Sequence, residues 1–244
     1  MPRFFVPDTG FSDRTVTILG DDAHHISFAL RMAVGEEITV CDMKGGVHRC
    51  ILKALNGESV VAEILESVSS STESPVKIHL FQAYPKSDKL EFIIQKAVEL
   101  GVCEITPFES ERVIKRPKAD KLEHLTERQN KIAKEAAKQC GRAVLPRVNT
   151  PVSFEEMLKQ ASLFPLCLFC YEGDGTRSLK EICTARGDVR EIALVIGSEG
   201  GFSTAEAARA REVGLMMTGL GKRILRCETA PIYALSAISC LYEL

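Results

Sequence analysis

A chain of 244 residues, 45% hydrophobic and 26% charged, can bury a substantial core in one large domain or two modest ones. A formal net charge of -2 does not exclude nucleic acid, because phosphate binding depends on where the basic residues sit. The opening Met1–Asp8 lacks the apolar core of a signal peptide, and the longest mostly apolar stretch, Ala230–Tyr242, is shorter than the roughly 20 residues a spanning helix needs.

Residues 1 to about 70 carry short β-rich segments at Arg3–Val6, Thr15–Leu19, Glu37–Cys41, Val47–Leu55 and Val60–Glu66. Turn signals separate them, among them Lys44-Gly45-Gly46 and the hairpin-type dipeptide Asn56-Gly57. One short helix is expected from Asp21 to Arg31, where His24 and His25 read as structural or surface residues. Strands so closely spaced predict a small barrel. The polar stretch Ser67–Pro75 reads as a linker, which divides the chain into domains 1–70 and 71–244.

The remainder alternates. Apolar runs at Val76–Ala83, Ile105–Phe108, Leu166–Tyr171, Ile192–Ile196 and Leu215–Thr218 predict buried strands. Helical patterns at Lys89–Leu100, Ala119–Arg142, Phe154–Ala161, Thr204–Val213 and Ala230–Tyr242 separate them. Such alternation predicts a mostly parallel α/β sheet, with ligands held at the carboxyl ends of its strands.

Nine cysteines, an odd number scattered through predicted strands and helices, suggest reduced thiols in a cytosolic protein. Cys167 and Cys170 form a CxxC with no second pair, inside an apolar run, and read as core residues rather than a metal or redox site. No metal is expected.

Three segments carry chemistry. Ile196-Gly-Ser-Glu-Gly-Gly-Phe202 follows an apolar strand and leads into a capping box, Ser203 to Glu206. Its glycines let backbone amides approach a ligand closely, or simply make a tight turn. It has neither the lysine of a P-loop nor the GxGxxG of a dinucleotide fold, which argues against a nicotinamide enzyme. Leu220–Ala230 follows the next strand with Lys222, Arg223 and Arg226 beside Ile224 and Leu225. Thr229 is expected to cap the helix that begins with Pro231 in its first turn. It is either a solvated loop or, emerging beside the glycine turn, the other wall of a pocket. From Arg112 to Arg147 there are eleven Lys or Arg (112, 115, 116, 118, 121, 128, 131, 134, 138, 142 and 147) against four Asp or Glu. Lys131, Lys134, Lys138 and Arg142 recur at helical spacing as a basic stripe, suited to phosphates if not merely solvated.

Taken in order, these segments resemble the RsmE family of ribosomal RNA methyltransferases in the SPOUT superfamily. The motifs are the opening strand Pro2–Val6, Lys96–Val102 with Pro107, and the basic helix Glu135–Arg142 followed by Pro146. Gly197–Phe202 and Leu220–Ala230 complete the set. Ser198 stands where that family usually has proline.

The resemblance implies an N-terminal PUA-like β-barrel that helps hold RNA, and a SPOUT-type α/β domain with a mostly parallel sheet and a trefoil knot. It also implies a homodimer and a reaction: S-adenosylmethionine donates a methyl group to N3 of a uridine in 16S ribosomal RNA, free or in the small subunit. The cofactor would lie among Tyr171 and Glu172, Ile196, Gly197, Ser198, Glu199, Gly200 and Gly201, and Leu220, Gly221, Ile224 and Leu225. Arg226, or Arg223, would stabilise the uracil oxygens. Glu199 would orient the cofactor or accept the N3 proton. Arg3, Arg31, Lys131, Lys134, Lys138 and Arg142 would meet RNA, Arg3 and Arg142 alternatively a neighbouring subunit. A transfer RNA target and a non-catalytic RNA-binding module are the competing readings.

Overall fold

A computed structural model of the chain describes residues 1–69, 72–86, 88–113 and 119–243. It divides into two units, residues 1–73 with 137–145, and residues 74–136 with 146–244. Ser70 and Ser71 of the expected linker, and the basic Lys115, Arg116 and Lys118, lie outside the described residues.

The first unit is built from β1 (Arg3–Phe5), β2 (Phe11–Ser12), β3 (Thr15–Leu19), α1 (Gly20–His24), β4 (Glu37–Cys41), β5 (Gly46–Leu55) and β6 (Ser59–Ser69). They form one sheet in the order β1-β4-β5-β6-β3-β2, antiparallel except for the β1–β4 pair. Every second residue of its strands turns inward: Val16 and Ile18, Ile38 and Val40, Cys50 and Leu52, Val60 and Ala62 share one core. That is the period-two alternation of a sheet with one buried face. Register shifts at Arg49/Cys50 and Leu52/Ala54 interrupt the long β5–β6 hairpin, and bulges of this kind bend and twist a strand. The barrel expected from sequence is thus a curled sheet whose pairing order, among the described residues, ends at β1 and β2. Asn56-Gly57 makes the predicted turn: Asn56 Oδ1 accepts the amides of Glu58 (3.1 Å) and Ser59 (2.7 Å), and Gly57 takes φ +89°. The expected helix after Asp21 is α1 followed by a π-helical turn, His25–Ala29, and Arg31 at φ +52° reverses the chain.

Residues 137–145 complete this unit with two ion pairs that the sequence reading assigned to RNA. Arg142 is buried, its side chain 6% exposed, and its guanidinium donates to Glu73 Oε2 at 2.6 and 3.1 Å. The other Glu73 oxygen accepts the amides of Ala143 (2.9 Å) and Val144 (3.2 Å). Arg3 donates to the Arg142 carbonyl (3.1 Å) and to Cys41 Sγ (3.2 Å). Lys138 pairs with Asp22 at 2.9 Å and lies over the Phe4 ring. Arg142 and Lys138, both expected to meet RNA, are thus each ion-paired with a carboxylate of the same unit.

Burial on its own would push the Glu73 carboxyl up, but the Arg142 charge and the two amides outweigh it and hold it below the usual value. Glu73→Ala, which strands a buried guanidinium, is expected to cost about 3 kcal/mol in urea unfolding. Because the folded-state pKa is depressed, the stabilisation is complete above the ordinary carboxyl range and lost as pH falls through it. The stability gap between wild type and Glu73→Gln should accordingly close on acidification.

The second unit contains β7 (Lys77–Ala83), α2 (Lys89–Glu99), β8 (Glu104–Glu109), α3 (Leu122–Cys140, residues 137–140 belonging to the first unit), β9 (Arg147–Val148), β10 (Val152–Ser153) and α4 (Phe154–Ala161). Then follow β11 (Leu166–Cys170), β12 (Arg177–Ser178), α5 (Leu179–Ala185), β13 (Glu191–Ile196), α6 (Thr204–Glu212), β14 (Met216–Gly219) and α7 (Thr229–Tyr242). The sheet order is β10-β8-β7-β13-β11-β14-β12, with β9 on β8, and every pairing is parallel. Residues Leu166 through Cys170 are all buried, as are Ile192 through Ile196, as expected of parallel strands covered on both faces. Two-residue β9, β10 and β12, and the short helix α5, were not anticipated. Thr229 is not the cap of α7 but its first residue, with Glu228 in the cap position.

This order positions the site. The chain runs outward from β7 to β8, then returns so that β13 separates β7 from β11. Such reversals leave a crevice at the carboxyl ends of the strands. Here the ends of β13, β11 and β14 lie side by side, so the segments after Ile196, Cys170 and Gly219 are neighbours. Among the described residues, no helix is long and apolar enough to cross a membrane.

Candidate active site

The glycine turn leaves β13 at Ile196. The Gly201 amide donates to the Ser198 carbonyl at 3.0 Å, closing a four-residue turn, and Gly201 takes φ +62°. A Cβ there would lie 2.5 Å from Glu172 Oε1, so both conformation and crowding call for glycine. The capping box read from sequence is present. Ser203 Oγ accepts the Glu206 amide (3.2 Å), and Glu206 Oε2 accepts the Ser203 amide (2.9 Å). Glu206 also accepts from Ser110 Oγ and the Glu111 amide, tying the turn to the segment after β8. Phe202 packs against Phe169 with ring centroids 4.2 Å apart and a tilt of 33°, and anchors the turn in the core. The wholly buried Gln82 donates to the Gly197 carbonyl (3.2 Å), and Arg112 donates to that of Gly200 (2.9 Å).

The second segment, 220–228, leaves β14 with Gly221 at φ +108°. Among the described residues, the amides of Leu220 through Leu225 form no backbone hydrogen bond, so they remain available to a ligand. At the far end, the Arg226 carbonyl accepts the amides of Thr229 and Ala230, both at 2.9 Å, and starts α7.

The two segments wall one cavity of about 400 Å³. Tyr171 and Glu172 line it after β11, and Ile196, Gly197, Ser198, Glu199 and Gly201 after β13. Leu220, Gly221, Arg223, Ile224, Leu225 and Arg226 line it after β14. Gly200 does not; it faces Arg112. Ile196, Phe202, Leu220 and Leu225 give the cavity apolar walls suited to a flat heterocycle, beside open amides and the carboxylates of Glu172 and Glu199. Arg223 and Arg226 are exposed, and among the described residues neither guanidinium has an ion-pair partner. The Ser198 hydroxyl is buried and, among the described residues, has no hydrogen-bond partner.

Glu199 is not an available carboxylate. Its oxygens accept from Lys89 Nζ (3.0 Å) and from the Lys86 amide (3.1 and 3.3 Å). Burial alone would raise it, but its own backbone amide, Lys89 and the Lys86 amide together hold it below the usual value. A carboxylate depressed in this way is a poor proton acceptor, which weighs towards an orienting role. Lys89 Nζ also reaches Glu228 Oε2 at 3.2 Å. Next to it Cys227 Sγ lies 3.1 Å from Glu228 Oε2, and burial above all pushes this thiol up to about 12.

Known proteins identify the family. An RNA methyltransferase domain model matches residues 72–239, and an RNA methyltransferase PUA domain model matches residues 18–65. Ribosomal RNA small subunit methyltransferase E of Bacillus subtilis is 37% identical over 234 residues, covering 94% of this chain and 91% of that protein. The chain belongs to the ribosomal RNA small subunit methyltransferase E family. The member from Neisseria gonorrhoeae, solved bound to S-adenosyl methionine, superposes with a TM-score of 0.88 at 33% identity, covering 99% and 98% of the two chains. A Legionella pneumophila protein with bound cofactor SAM gives 0.86 at 29% identity, covering 98% and 96%.

The family resemblance drawn from the motifs is borne out. Residues that the sequence did not suggest for this member are Lys89, Gln82, Arg112, Cys227 and Glu228. Cys227 and Glu228 lay within the noted segment Leu220–Ala230, and Arg112 opened the noted basic segment, but none of them was given this place. Lys89 and Gln82 come from α2 and β7, and only the strand order brings them here. Cys167 and Cys170 are buried within β11, where burial pushes both thiols far above their usual value.

Proposed function

We propose that this chain transfers a methyl group from S-adenosylmethionine to N3 of a uridine in 16S ribosomal RNA. The observation that carries this is the single cavity shared by the glycine turn and the arginine loop, in a chain whose relatives are small subunit methyltransferases. The residues fit the cofactor: apolar walls for adenine, unpaired amides at 220–225, and a glycine at 201 that keeps the wall thin. Bound there, S-adenosylmethionine would supply an electrophilic methyl group on a sulfonium.

The chain's own residues do the rest. Uracil N3 is on the pairing edge and carries a proton, so the base must be unpaired or flipped before attack. Once N3 has given its proton to solvent water, negative charge is spread onto O2 and O4. Arg226, with Arg223 on the same cavity wall, offers a cation for that charge. Glu199, held by Lys89, orients the cofactor.

The proposal extends to a PUA-like unit over residues 1–70 that holds RNA, a catalytic domain over 71–244 containing a trefoil knot, a homodimer, and a cytoplasmic setting with free 16S RNA or the small subunit as substrate. Arg3, Arg31, Lys131 and Lys134 have the proposed RNA role, and Lys138 and Arg142 share it beside their ion pairs. Lys131 is exposed on α3. Lys131→Glu is expected to weaken RNA binding and lower the slope of log K against log salt by about one. An unchanged slope in filter binding would take Lys131 off the phosphates.

Nucleoside mass spectrometry of 16S RNA tests the function. A strain lacking the protein should lose 3-methyluridine from that RNA and regain it on re-expression. Loss from transfer RNA instead, or no loss, would overturn the proposal.

A further inference from the structure

We propose that Lys89 is a positioning residue whose charge locks the glycine turn to the arginine loop and thereby sets both the cofactor cavity and the aim of Arg226. This rests on the S-adenosylmethionine reading of the cavity. Lys89 opens α2, and its ammonium lies 3.0 Å from Glu199 Oε1 and 3.2 Å from Glu228 Oε2. Glu199 belongs to the turn after β13, whereas Glu228 is the cap residue of α7, two positions beyond Arg226. Among the described residues, no backbone hydrogen bond joins these two loops, and one cation does.

Removing the charge leaves two carboxylates facing each other across the space the ammonium filled. Like charges so close cannot both stay ionised cheaply, so one should retain a proton at a pH where both are now ionised. The other groups facing this spot are Cys227, 3.9 Å from Lys89 Nζ, Glu172 and Arg223 on the cavity wall, and Arg226 itself. The thiol is neutral, Glu172 brings a further carboxylate to the cavity wall, and the two guanidiniums bring cations. A Lys89→Met protein should therefore close its loops better at low pH, when a shared proton bridges the carboxyls, and worse as pH rises. A lysine serving only as packing would give no such dependence.

The test is titration calorimetry of S-adenosylmethionine at pH 6 and pH 8, with methyl transfer to small-subunit RNA at saturating cofactor. Wild type should bind at both values. Lys89→Met should bind about tenfold more weakly at pH 8, recover part of that at pH 6, and lose turnover at saturating cofactor as Arg226 drifts. Lys89→Arg should stay within about threefold of wild type, because the cation is kept. Adding Glu228→Gln to Lys89→Met should restore part of the affinity at pH 8. If Lys89→Met does not fold, Lys89→Gln carries the same comparison. Equal affinity of wild type and Lys89→Met at both pH values, or a loss that neither low pH nor Glu228→Gln relieves, overturns the proposal. A wild-type protein that binds no S-adenosylmethionine would instead overturn the reading of the cavity.

Discussion

Arg226→Ala should lower methyl transfer by about 10²–10³-fold while changing S-adenosylmethionine affinity little, the cost usual for removing one preorganised donor from developing negative charge. The guanidinium lines the cavity, is exposed, and among the described residues has no carboxylate partner. Its truncation therefore strands no buried charge. What holds the loop at this position is the backbone, since the Arg226 carbonyl accepts the Thr229 and Ala230 amides that begin α7, and alanine keeps both bonds. The fold and the apolar walls should survive, leaving the defect in turnover. Arg223→Ala should show a smaller loss. Steady-state kinetics paired with calorimetry separates the two effects, and wild-type turnover in Arg226→Ala would remove this residue from the chemistry.

Gly201→Ala should weaken S-adenosylmethionine binding by about tenfold or more and cost about 1–2 kcal/mol of stability, as a non-glycine residue forced to positive φ does. At φ +62° the new methyl would also point at Glu172 Oε1 from 2.5 Å. Glu172 can swing aside, because its carboxylate is the far end of a flexible chain, but only by leaving its place on the cavity wall. The alternative is to open the turn, which breaks the 3.0 Å bond from the Gly201 amide to the Ser198 carbonyl and moves Glu199. Either response damages the cavity. Calorimetry and urea unfolding read the two losses, and a variant matching wild type in both would show that the turn does not form the binding wall.

The strands that carry the site were legible because each is a short apolar run. Ile192–Ile196 followed by the glycine turn, and Ser203 with Glu206, needed only local chemistry, and their bounds came within a residue or so. The Asn56-Gly57 hairpin was legible for the same reason. Local chemistry could not reveal the order of a parallel sheet, whose partners are far apart in sequence, nor two-residue strands such as Arg177–Ser178. For that reason Tyr171 to Leu225 could be gathered into one cavity through the family resemblance, whereas Lys89 was missed.

The basic helix shows a different limit of local chemistry. Helical spacing put Lys138 and Arg142 on one stripe, but spacing carries no information about the acidic residues that meet them. Asp22 and Glu73, distant in the chain, claim both charges. A one-sided charge pattern is therefore weak evidence for nucleic acid until its counterions are known.

The central claim is that the segments near Glu199 and Arg226 together grip a methyl donor. Amide hydrogen exchange with and without S-adenosylmethionine tests it most directly. Protection should concentrate in residues 171–172, 196–202 and 220–228, with little change in residues 1–69. Binding that protects a different region, or leaves the glycine turn and the arginine loop unaltered, would contradict it.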